Sequence, residues 1–287
     1  LSELAAIQTG PFGSQLHKED YVVHGTPIVT VEHLGSRKFT EQNLPCVSDK
    51  DKERLKKYVL KTGDIVFSRV GSVDRCSYVS AEYEGWMFSG RCLRVRPCEK
   101  LNPEYLYYFF LLEKTKQFVR NIATGATMPS INTKFMGEIP IRVPSLDAQN
   151  KIASILWMID DKIELNKKIN KNLEQQAQAI YSRMFIEHRQ ESWSTGQLSD
   201  LISVKYGKDH KKLADGNYPV YGSGGIMRYV EKPLYTGESV LIPRKGTLNN
   251  VMYVNEAFWS VDTMFYTEML RPNIAKFVYH FVKSKDL

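Results

Sequence analysis

Hydrophobic and polar residues follow two different patterns along this chain. Short runs of alternating or uniformly apolar residues, separated by glycines, lie at 27–31, 64–68, 76–80 and 91–95, and they predict β-strands. A helix start follows, with Asn102 as N-cap, Pro103 at the first helical position and Glu104 in the first turn. Similar segments recur in residues 187–287. The pattern predicts α+β domains.

Between these parts the spacing of the apolar residues changes. From Ser145, a predicted N-cap, to about residue 185, no Gly or Pro interrupts the chain, and apolar residues recur at alternating steps of four and three. A helix of about 40 residues would extend ~60 Å. The spacing therefore predicts one long coiled-coil-type helix that pairs with another helix through a seam of Ile152, Leu156, Ile159, Ile163, Asn166, Asn170, Leu173 and Ile180.

Two features of this helix refine its predicted contacts. Asn166 and Asn170 weaken the seam but penalise wrong registers, in which the amide would lack a partner, so the partner is expected to be a specific helix. Trp157 lies beside the seam. It either packs against a neighbouring domain or marks the docking surface of another subunit.

The chain also repeats itself. The spacing between equivalent positions shrinks along the chain, so the second copy corresponds to the first with loops removed: residues 1–4 recur as 198–201, 69–72 as 244–247, and 96–97 as 271–272. Each copy is domain-sized, unlike the units of a solenoid. One fold used twice suggests two binding modules for two related ligands, although a duplication could also merely enlarge the protein.

Composition narrows the class of partner. The net charge of +7 and the pI near 9.0 favour a polyanionic partner such as nucleic acid. No apolar stretch is long enough for a membrane-spanning helix. The four cysteines and six histidines show no metal-site spacing, and this use of thiols suits the cytoplasm. We therefore expect a cytoplasmic protein without a metal site.

Five Gly-containing polar loops, 9–14, 69–72, 124–130, 221–225 and 244–247, are suited to close approach by a phosphate backbone. Glycine exposes backbone N–H groups, and Arg or Lys neutralises phosphate or reads guanine edges. Such loops can also be ordinary turns, and recurrence of the Arg-x-Gly-[Ser/Thr] loop in both copies is the stronger signal. The candidate DNA-binding residues are Thr9, Ser14, Lys18, Arg69, Ser72, Thr127, Asn132, Tyr221, Ser223, Arg244, Lys245 and Thr247.

The basic region 34–63 contains most of the length that the second copy lacks. One interpretation is a DNA-contacting insertion that gives the first domain its own specificity. The other is a short helix with a solvated charged face.

Motifs for catalysis are missing from the sequence. It contains no Asn/Asp-Pro-Pro-aromatic motif, Walker A loop, nucleophile elbow or HExxH helix. We therefore expect no catalytic residue and no cofactor of the chain's own. A self-contained DNA methyltransferase would require a cofactor loop, and a coiled-coil adaptor without DNA affinity would not explain the duplicated loops.

The long helix and two loop segments carry a family resemblance. The chain resembles the specificity subunit of type I restriction-modification systems, in which two target-recognition domains are separated by long helices. The matching segments are 149–152, 156–166 and 170–180 in the helix, the Thr-Gly-x-x-x-Pro-Ser-Ile segment at 124–131, and the Tyr-Pro-Val-Tyr-Gly-Ser-Gly-Gly segment at 218–225.

The resemblance implies a function and a domain plan. Each domain would read one half of a bipartite site on double-stranded DNA, and the helix would set the gap and dock methyltransferase subunits. S-adenosylmethionine, ATP and magnesium would reside on those subunits and on a restriction subunit. The implied domains are 1–144, the spacer helix 145–186, and 187–287, with the second domain and a second, antiparallel helix incomplete, either because the chain is a fragment or because the gene is truncated.

The resemblance also frames the role of the two recurring arginines. Arg69→Ala is expected to weaken recognition of one half-site and Arg244→Ala that of the other. Equal effects on all DNA sequences would instead mark both residues as phosphate contacts.

Overall fold

The computed structural model describes residues 1–125 and 127–285, except for the side chain of Lys18. Packing divides the chain into two compact units, Leu1–Asn166 and Lys167–Leu287, which we call unit 1 and unit 2. The division falls inside the long helix, so that each unit packs against its own part of it. The finer partition into 1–144, 145–186 and 187–287 stays a prediction.

Unit 1 is a mixed α+β unit. Its strands are β1 (Ala5–Thr9), β2 (Tyr21–Val22), β3 (Thr26–Val29), β4 (Cys46–Val47), β5 (Ile65–Ser68), β6 (Cys76–Tyr78), β7 (Met87–Phe88) and β8 (Cys92–Pro97). Its α-helices are α1 (Asp49–Arg54), α2 (Pro103–Leu111), α3 (Glu113–Ile122), α4 (Thr133–Gly137) and the first part of α5 (Leu146–Ser182).

The strands of unit 1 form two sheets. One sheet has the order β1-β8-β5-β6 and is antiparallel, and the other has the order β2-β4-β3-β7, in which β3 and β7 run parallel. Every residue of β5 is buried because its two faces contribute to two hydrophobic clusters: Ile65 and Phe67 pack with α2, and Val66 packs with β3 and β7. The strand therefore carries its C-terminal loop on a rigid base.

Unit 2 is built around one larger sheet. Its strands are β9 (Ile202–Tyr206), β10 (Asp215–Gly222), β11 (Gly225–Val230), β12 (Tyr235–Pro243), β13 (Met252–Ser260) and β14 (Met264–Met269), followed by helix α6 (Ala275–Lys283). The strand order is β11-β10-β13-β12-β14-β9. The segment β9-β14-β12-β13 repeats the order β1-β8-β5-β6 of unit 1.

The duplication is confirmed at the level of strand register. Thr9 faces Leu93 in unit 1, and Tyr206 faces Phe265 in unit 2. The other equivalent pairs, named in the order unit 1 then unit 2, are Phe67–Leu93 and Ile242–Phe265, Ile65–Tyr78 and Val240–Tyr253, and the parallel Ile28–Met87 and Val220–Trp259. The two copies therefore have equivalent strand pairings.

The long helix α5 forms as its heptad pattern predicts. It contains 37 residues. The Ser145 hydroxyl accepts a hydrogen bond from the Ala148 backbone N–H at 3.4 Å, which confirms the N-cap. The last turn passes into a π-helical segment, Arg183–Glu187. The α+β fold with a long helix between the two sheet regions is confirmed.

The N-cap predicted for the helix after β8 is also confirmed. Asn102 Oδ1 accepts from the Tyr105 backbone N–H at 2.8 Å, and Pro103 occupies the first helical position of α2. Tyr107 and Phe110 are buried in the core. These two aromatic residues of the helix are therefore structural.

The basic insertion 34–63 contains helix α1, which has no buried residue. Arg54 pairs with Asp51 at 2.7 Å and Lys56 with Glu53 at 3.0 Å, while the apolar Leu55 and Leu60 are buried in the core of unit 1. Internal pairing of Arg54 and Lys56 suits the solvated helix face, and contact between this region and DNA stays a prediction.

Two further findings concern the described residues 1–125 and 127–285. Their helices include none with the length and apolar content needed to cross a bilayer. Within the same ranges, no three His, Cys, Asp or Glu side chains are grouped so as to bind a metal ion.

Candidate nucleic-acid interface

In unit 1, the loop after β1 is pressed against the turn before β8. Gly10 donates its backbone N–H to Cys92 O at 3.2 Å. A Cβ atom at Gly10 would lie 2.2 Å from Ser89 O, so a residue with a side chain does not fit there. This contact fixes the start of the 9–14 loop, which continues through the exposed Phe12 and Ser14.

Arg69 follows β5 and joins the same place. Its backbone N–H donates to Arg91 O at 2.8 Å, and its Nη1 donates to Gly90 O at 3.0 Å. The guanidinium carbon lies 5.7 Å from the centroid of the Phe12 ring, within the range of a cation–π contact. Because the backbone and side chain are both tied to the turn before β8, the arginine is held in one orientation.

A third predicted loop, 124–130, meets the Arg69 loop. Gly71 N–H donates to Pro129 O at 2.8 Å, and Ile131 N–H donates to Arg69 O at 2.9 Å. Thr124 and Ser130 close the loop by exchanging backbone hydrogen bonds of 2.9 and 2.7 Å. The structure thus brings the described residues of the 9–14, 69–72 and 124–130 loops to one end of the β1-β8-β5-β6 sheet of unit 1.

Unit 2 repeats the first two contacts. Gly207 N–H donates to Met264 O at 3.0 Å, and a Cβ atom at Gly207 would lie 2.0 Å from Val261 O. Arg244 follows β12 and donates its backbone N–H to Thr263 O at 2.9 Å and its Nη1 to Asp262 O at 3.1 Å. Its guanidinium carbon lies 4.9 Å from the Tyr206 ring and 5.2 Å from the Phe265 ring.

The 221–225 loop of unit 2 contacts the Arg244 loop. Asn250 Nδ2 donates to Ser223 O at 2.7 Å. A Cβ atom at Gly246, whose φ is +84°, would lie 2.6 Å from Ser223 Oγ. The positive φ favours glycine at this position, and the close approach brings the backbone of the Arg244 loop next to Ser223. The two predicted loops of this unit form one surface.

The individual candidates differ in exposure. Ser14, Ser72, Thr127, Arg244, Lys245 and Thr247 are exposed, and Thr9, Arg69 and Ser223 are half-buried. These placements leave their DNA contacts a prediction. The side chain of Lys18 lies outside the described part of the chain.

Two candidates have structural partners in the folded chain. Tyr221 is buried and donates its hydroxyl to Glu256 Oε1 at 2.5 Å, and burial, with this bond, raises its pKa above the ordinary value. Asn132 Oδ1 caps α4 by accepting from Phe135 N–H at 2.9 Å. Both residues hold the loops in place, and any role in DNA contact stays a prediction.

Sequence reasoning missed three residues of these surfaces. Arg91 is exposed beside Gly90, which receives the Arg69 side chain, and Phe12 stacks on that side chain. Lys208 is exposed next to Gly207, and its backbone O accepts from Trp259 Nε1 at 2.9 Å. For Arg91 and Lys208, the signal in the sequence was a basic residue directly after a glycine. Phe12 lay within the predicted 9–14 loop but was not among the candidate residues.

The buried cysteines have no reactive thiolate. Burial raises the pKa of the Cys76 and Cys92 thiols to about 12, so both are neutral near pH 7. Cys92 lies at the start of β8, under the Arg69 loop, where it packs as a small hydrophobic residue.

The first part of α5 packs on unit 1 through Trp157. The indole lies edge-on to Tyr78, with ring centroids 4.9 Å apart, and Arg37 stacks on it at 4.5 Å. Arg37 also pairs with Asp161 at 2.5 Å, and Tyr108 donates its hydroxyl to Asp160 at 2.9 Å. Of the two interpretations of Trp157, packing against a neighbouring domain is therefore the one that the structure supports.

The second part of α5 packs on unit 2 in a related way. Tyr279, the counterpart of Tyr108 in the repeat, donates its hydroxyl to Glu174, which also pairs with Lys283. His280 and Gln178 are hydrogen-bonded at 2.8 Å, and Tyr181 is buried against Phe277. The same tyrosine of the repeated fold thus holds a carboxylate of the helix in each unit.

The predicted seam lies on the solvent side of α5. The members exposed to solvent are Ile152, Ile159, Ile163, Asn166, Asn170, Leu173 and Ile180, while Leu156 is half-buried. Sequence reasoning missed a second row of exposed apolar residues, Ile155, Met158, Leu165 and Ile169. The apolar surface of the helix is therefore wider than one seam, and pairing with another helix stays a prediction.

Comparison with known proteins identifies the family. A family model described as the type I restriction modification DNA specificity domain matches residues 1–175 and 190–287. The HindI type I restriction enzyme specificity subunit of Haemophilus influenzae is 29% identical over 54% of this chain and 35% of its own length. The putative MjaX type I restriction enzyme specificity subunit of Methanocaldococcus jannaschii is 33% identical over 58% of this chain and 41% of its own.

These two matches span less than half of each relative's length. The crystal structure of a type I restriction-modification system S subunit from M. genitalium shares the fold, with a TM-score of 0.61 at 18% identity, over 98% of this chain and 75% of the other. Because the family model covers both units and most of the helix between their sheets, the chain belongs to the type I restriction modification DNA specificity domain family.

Proposed function

We propose that this chain is the sequence-specific DNA-recognition subunit of a type I restriction-modification complex. Unit 1 and unit 2 each read one half of a bipartite site on double-stranded DNA. The observation that carries this proposal is the repeated loop surface. In unit 1, Arg69 follows β5 and donates to the turn before β8. In unit 2, Arg244 follows β12 and donates to the turn before β14. A recognition surface used twice suits a site with two halves.

The chemistry of the loops is suited to DNA. Glycines let the backbone approach closely, hydroxyl and amide groups can donate to base edges or phosphates, and the arginines supply fixed positive charge. The net charge of +7 supports electrostatic steering toward a polyanion. Strand β5, which is buried on both faces, gives the Arg69 loop a rigid base, and this lowers the entropy cost of binding.

The exposed apolar rows of α5 are the proposed docking surface for the partner subunits. A helix paired through the seam would set the unread gap between the half-sites, and methyltransferase subunits would dock on the helices and domains. A restriction subunit would join through that assembly. Large apolar side chains such as Ile159, which is 51% exposed, suit a surface that is covered in a complex.

In this proposal the chain itself is non-catalytic and acts in the cytoplasm. S-adenosylmethionine, ATP and magnesium belong to the partner subunits. The role of this chain is to place those subunits at a chosen sequence.

Selection from a random duplex library tests the proposal. The full chain, assembled with its methyltransferase subunits, is used to enrich duplexes over several rounds, which are then sequenced. We expect two short conserved blocks separated by a gap of fixed length. No enrichment by a correctly assembled complex would contradict DNA recognition and favour an adaptor without DNA affinity.

A further inference from the structure

The recurring arginine has the same protein partners in both units. Arg69 follows β5 and Arg244 follows β12, and these strands are equivalent by register. Each arginine donates Nη1 to the carbonyl two residues before the start of the neighbouring strand in the sheet: Gly90 before β8 in unit 1, and Asp262 before β14 in unit 2. The pose therefore depends on main-chain atoms that the shared fold provides, not on particular side chains.

The surroundings of the two arginines differ. Phe12, from the loop after β1, packs beside Arg69, whereas the strand residues Tyr206 and Phe265 pack beside Arg244. The 124–130 loop meets Arg69, and the 221–225 loop meets Arg244. The arginine and its orientation are thus retained while the neighbouring loops are exchanged.

The guanidinium groups keep donors for a ligand. Each carries five N–H donors, and the hydrogen bonds given above use only one of them within the described residues. Arg69 is half-buried and Arg244 is exposed. Both can therefore contact a bound anion without losing the bond to the protein.

If the two units read different sequences but retain the same arginine, that arginine is expected to contact a feature that is the same in both half-sites. The two halves of a bipartite site differ in bases, but the phosphate backbone is the same in both. We propose that Arg69 and Arg244 are equivalent phosphate anchors that set the position of each unit on DNA. Base reading then falls to the loops in which the units differ. The proposal rests on the DNA-recognition function proposed above.

Salt-dependent binding to mixed-sequence DNA tests this assignment without knowledge of the target. The full chain is titrated with fluorescent duplexes of about 30 base pairs across a salt series. Arg69→Ala and Arg244→Ala are each expected to weaken binding about tenfold at low salt, which corresponds to one charge-assisted hydrogen bond. Each should also flatten the slope of log K against log salt by about 0.9.

Matched variants control for charge and for folding. Lys100→Ala and Arg271→Ala remove one exposed charge just beyond the far ends of β8 and β14 and are expected to leave the slope unchanged. Arg69→Gln keeps an amide N–H for Gly90 O without the charge, and it is expected to behave like Arg69→Ala. A wild-type slope in Arg69→Gln would mean that Arg69 only holds the turn, which overturns the proposal.

Two further outcomes separate this proposal from the proposed function. Wild-type slopes in both alanine variants, or losses confined to duplexes of one sequence, would overturn the phosphate anchors while leaving DNA recognition intact. If the wild-type chain itself shows no salt-dependent binding to any duplex, the proposed DNA-recognition function fails together with the anchors.

Discussion

The two units share a sheet register but hold it together differently. In unit 1, Asp64 is 1% exposed and accepts two hydrogen bonds from Arg96, both of 2.6 Å. At the equivalent position of unit 2, Ser239 accepts from Thr267 N–H at 3.0 Å. An ion pair in one copy is thus replaced by a hydroxyl in the other.

The retained features are of a different kind. Gly10 and Gly207 meet backbone carbonyls where no side chain fits, and Arg69 and Arg244 donate to equivalent carbonyls. The glycines are explained by the fold, because any residue with a Cβ would clash. The arginines are partly accessible at the sheet end, so their retention points to a shared ligand. Stabilising polar contacts are therefore exchanged between the units, whereas the loop surface is kept.

The largest expected difference between the units concerns Asp64 and Ser239. Asp64→Ala leaves the Arg96 charge without its partner and should lower the local free energy of unfolding by about 3 kcal/mol. Ser239→Ala removes one neutral hydrogen bond and should cost about 1 kcal/mol. Hydrogen exchange of β5 and β12 measures both effects. Equal losses would show that the two polar contacts are energetically alike.

The two glycines should respond alike. Gly10→Ala and Gly207→Ala each place a Cβ atom within about 2 Å of a backbone carbonyl, so the turn must shift, at about 2 kcal/mol each. Urea unfolding of the full chain measures the loss. Gly224→Ala is the control, since a Cβ at Gly224 meets no atom within 4 Å. A neutral Gly207→Ala would break the equivalence of the two loop surfaces.

The tyrosine contacts to α5 should give a smaller, matched pair of effects. Tyr108→Phe and Tyr279→Phe each remove one hydroxyl that donates to a helix carboxylate, and each should cost about 1 kcal/mol. Hydrogen exchange of the α5 amides near Asp160 and near Glu174 separates the two sites. An effect at only one site would show that the units hold the helix by different means.

Acid should gradually weaken the contact of Glu174 with Tyr279 and Lys283 in unit 2. Hydrogen bonds from Lys283 and Tyr279 hold the pKa of Glu174 below its ordinary value of 4.5, so the unfolded chain binds the proton first. The stabilisation is present above pH 4.5 and is lost as the pH falls through the lower pKa of the folded state. Glu174→Gln should reduce the pH dependence of unit 2 unfolding below pH 4.5. Circular dichroism measures this unfolding. An unchanged profile would contradict the depressed pKa.

Much of the fold could be predicted from local sequence patterns. The heptad spacing and Ser145 predicted the long helix, and the Asn102-Pro103 pair predicted the start of α2, because capping and periodicity are local. The duplication predicted that the two units would have the same strand arrangement. One matched pair was wrong: Arg96 lies in β8 opposite Asp64, whereas Arg271 lies beyond the end of β14, and Glu268 occupies the equivalent register position.

The candidate surface was predictable only in part. The Arg69 and Arg244 loops were found from their repetition, but Arg91 and Lys208 were missed because their importance depends on strand pairing between distant segments. The Glu256 partner of Tyr221 was not visible for the same reason, because the two residues are far apart along the chain. Asn132 caps α4 through Phe135, which is a local contact that was open to prediction but was missed. The packing role of Trp157 became clear only from its contact with Tyr78.

Methylation mapping tests the central claim that each unit reads one half-site. DNA from cells carrying the full-length gene with its cognate methyltransferase subunit is sequenced at the single-molecule level, before and after exchange of the unit 2 loops for those of another family member. We expect a bipartite motif with a fixed gap, in which the exchange alters one half and leaves the other half and the gap unchanged. A continuous motif, a change in both halves, or no motif from a correctly assembled complex would contradict it.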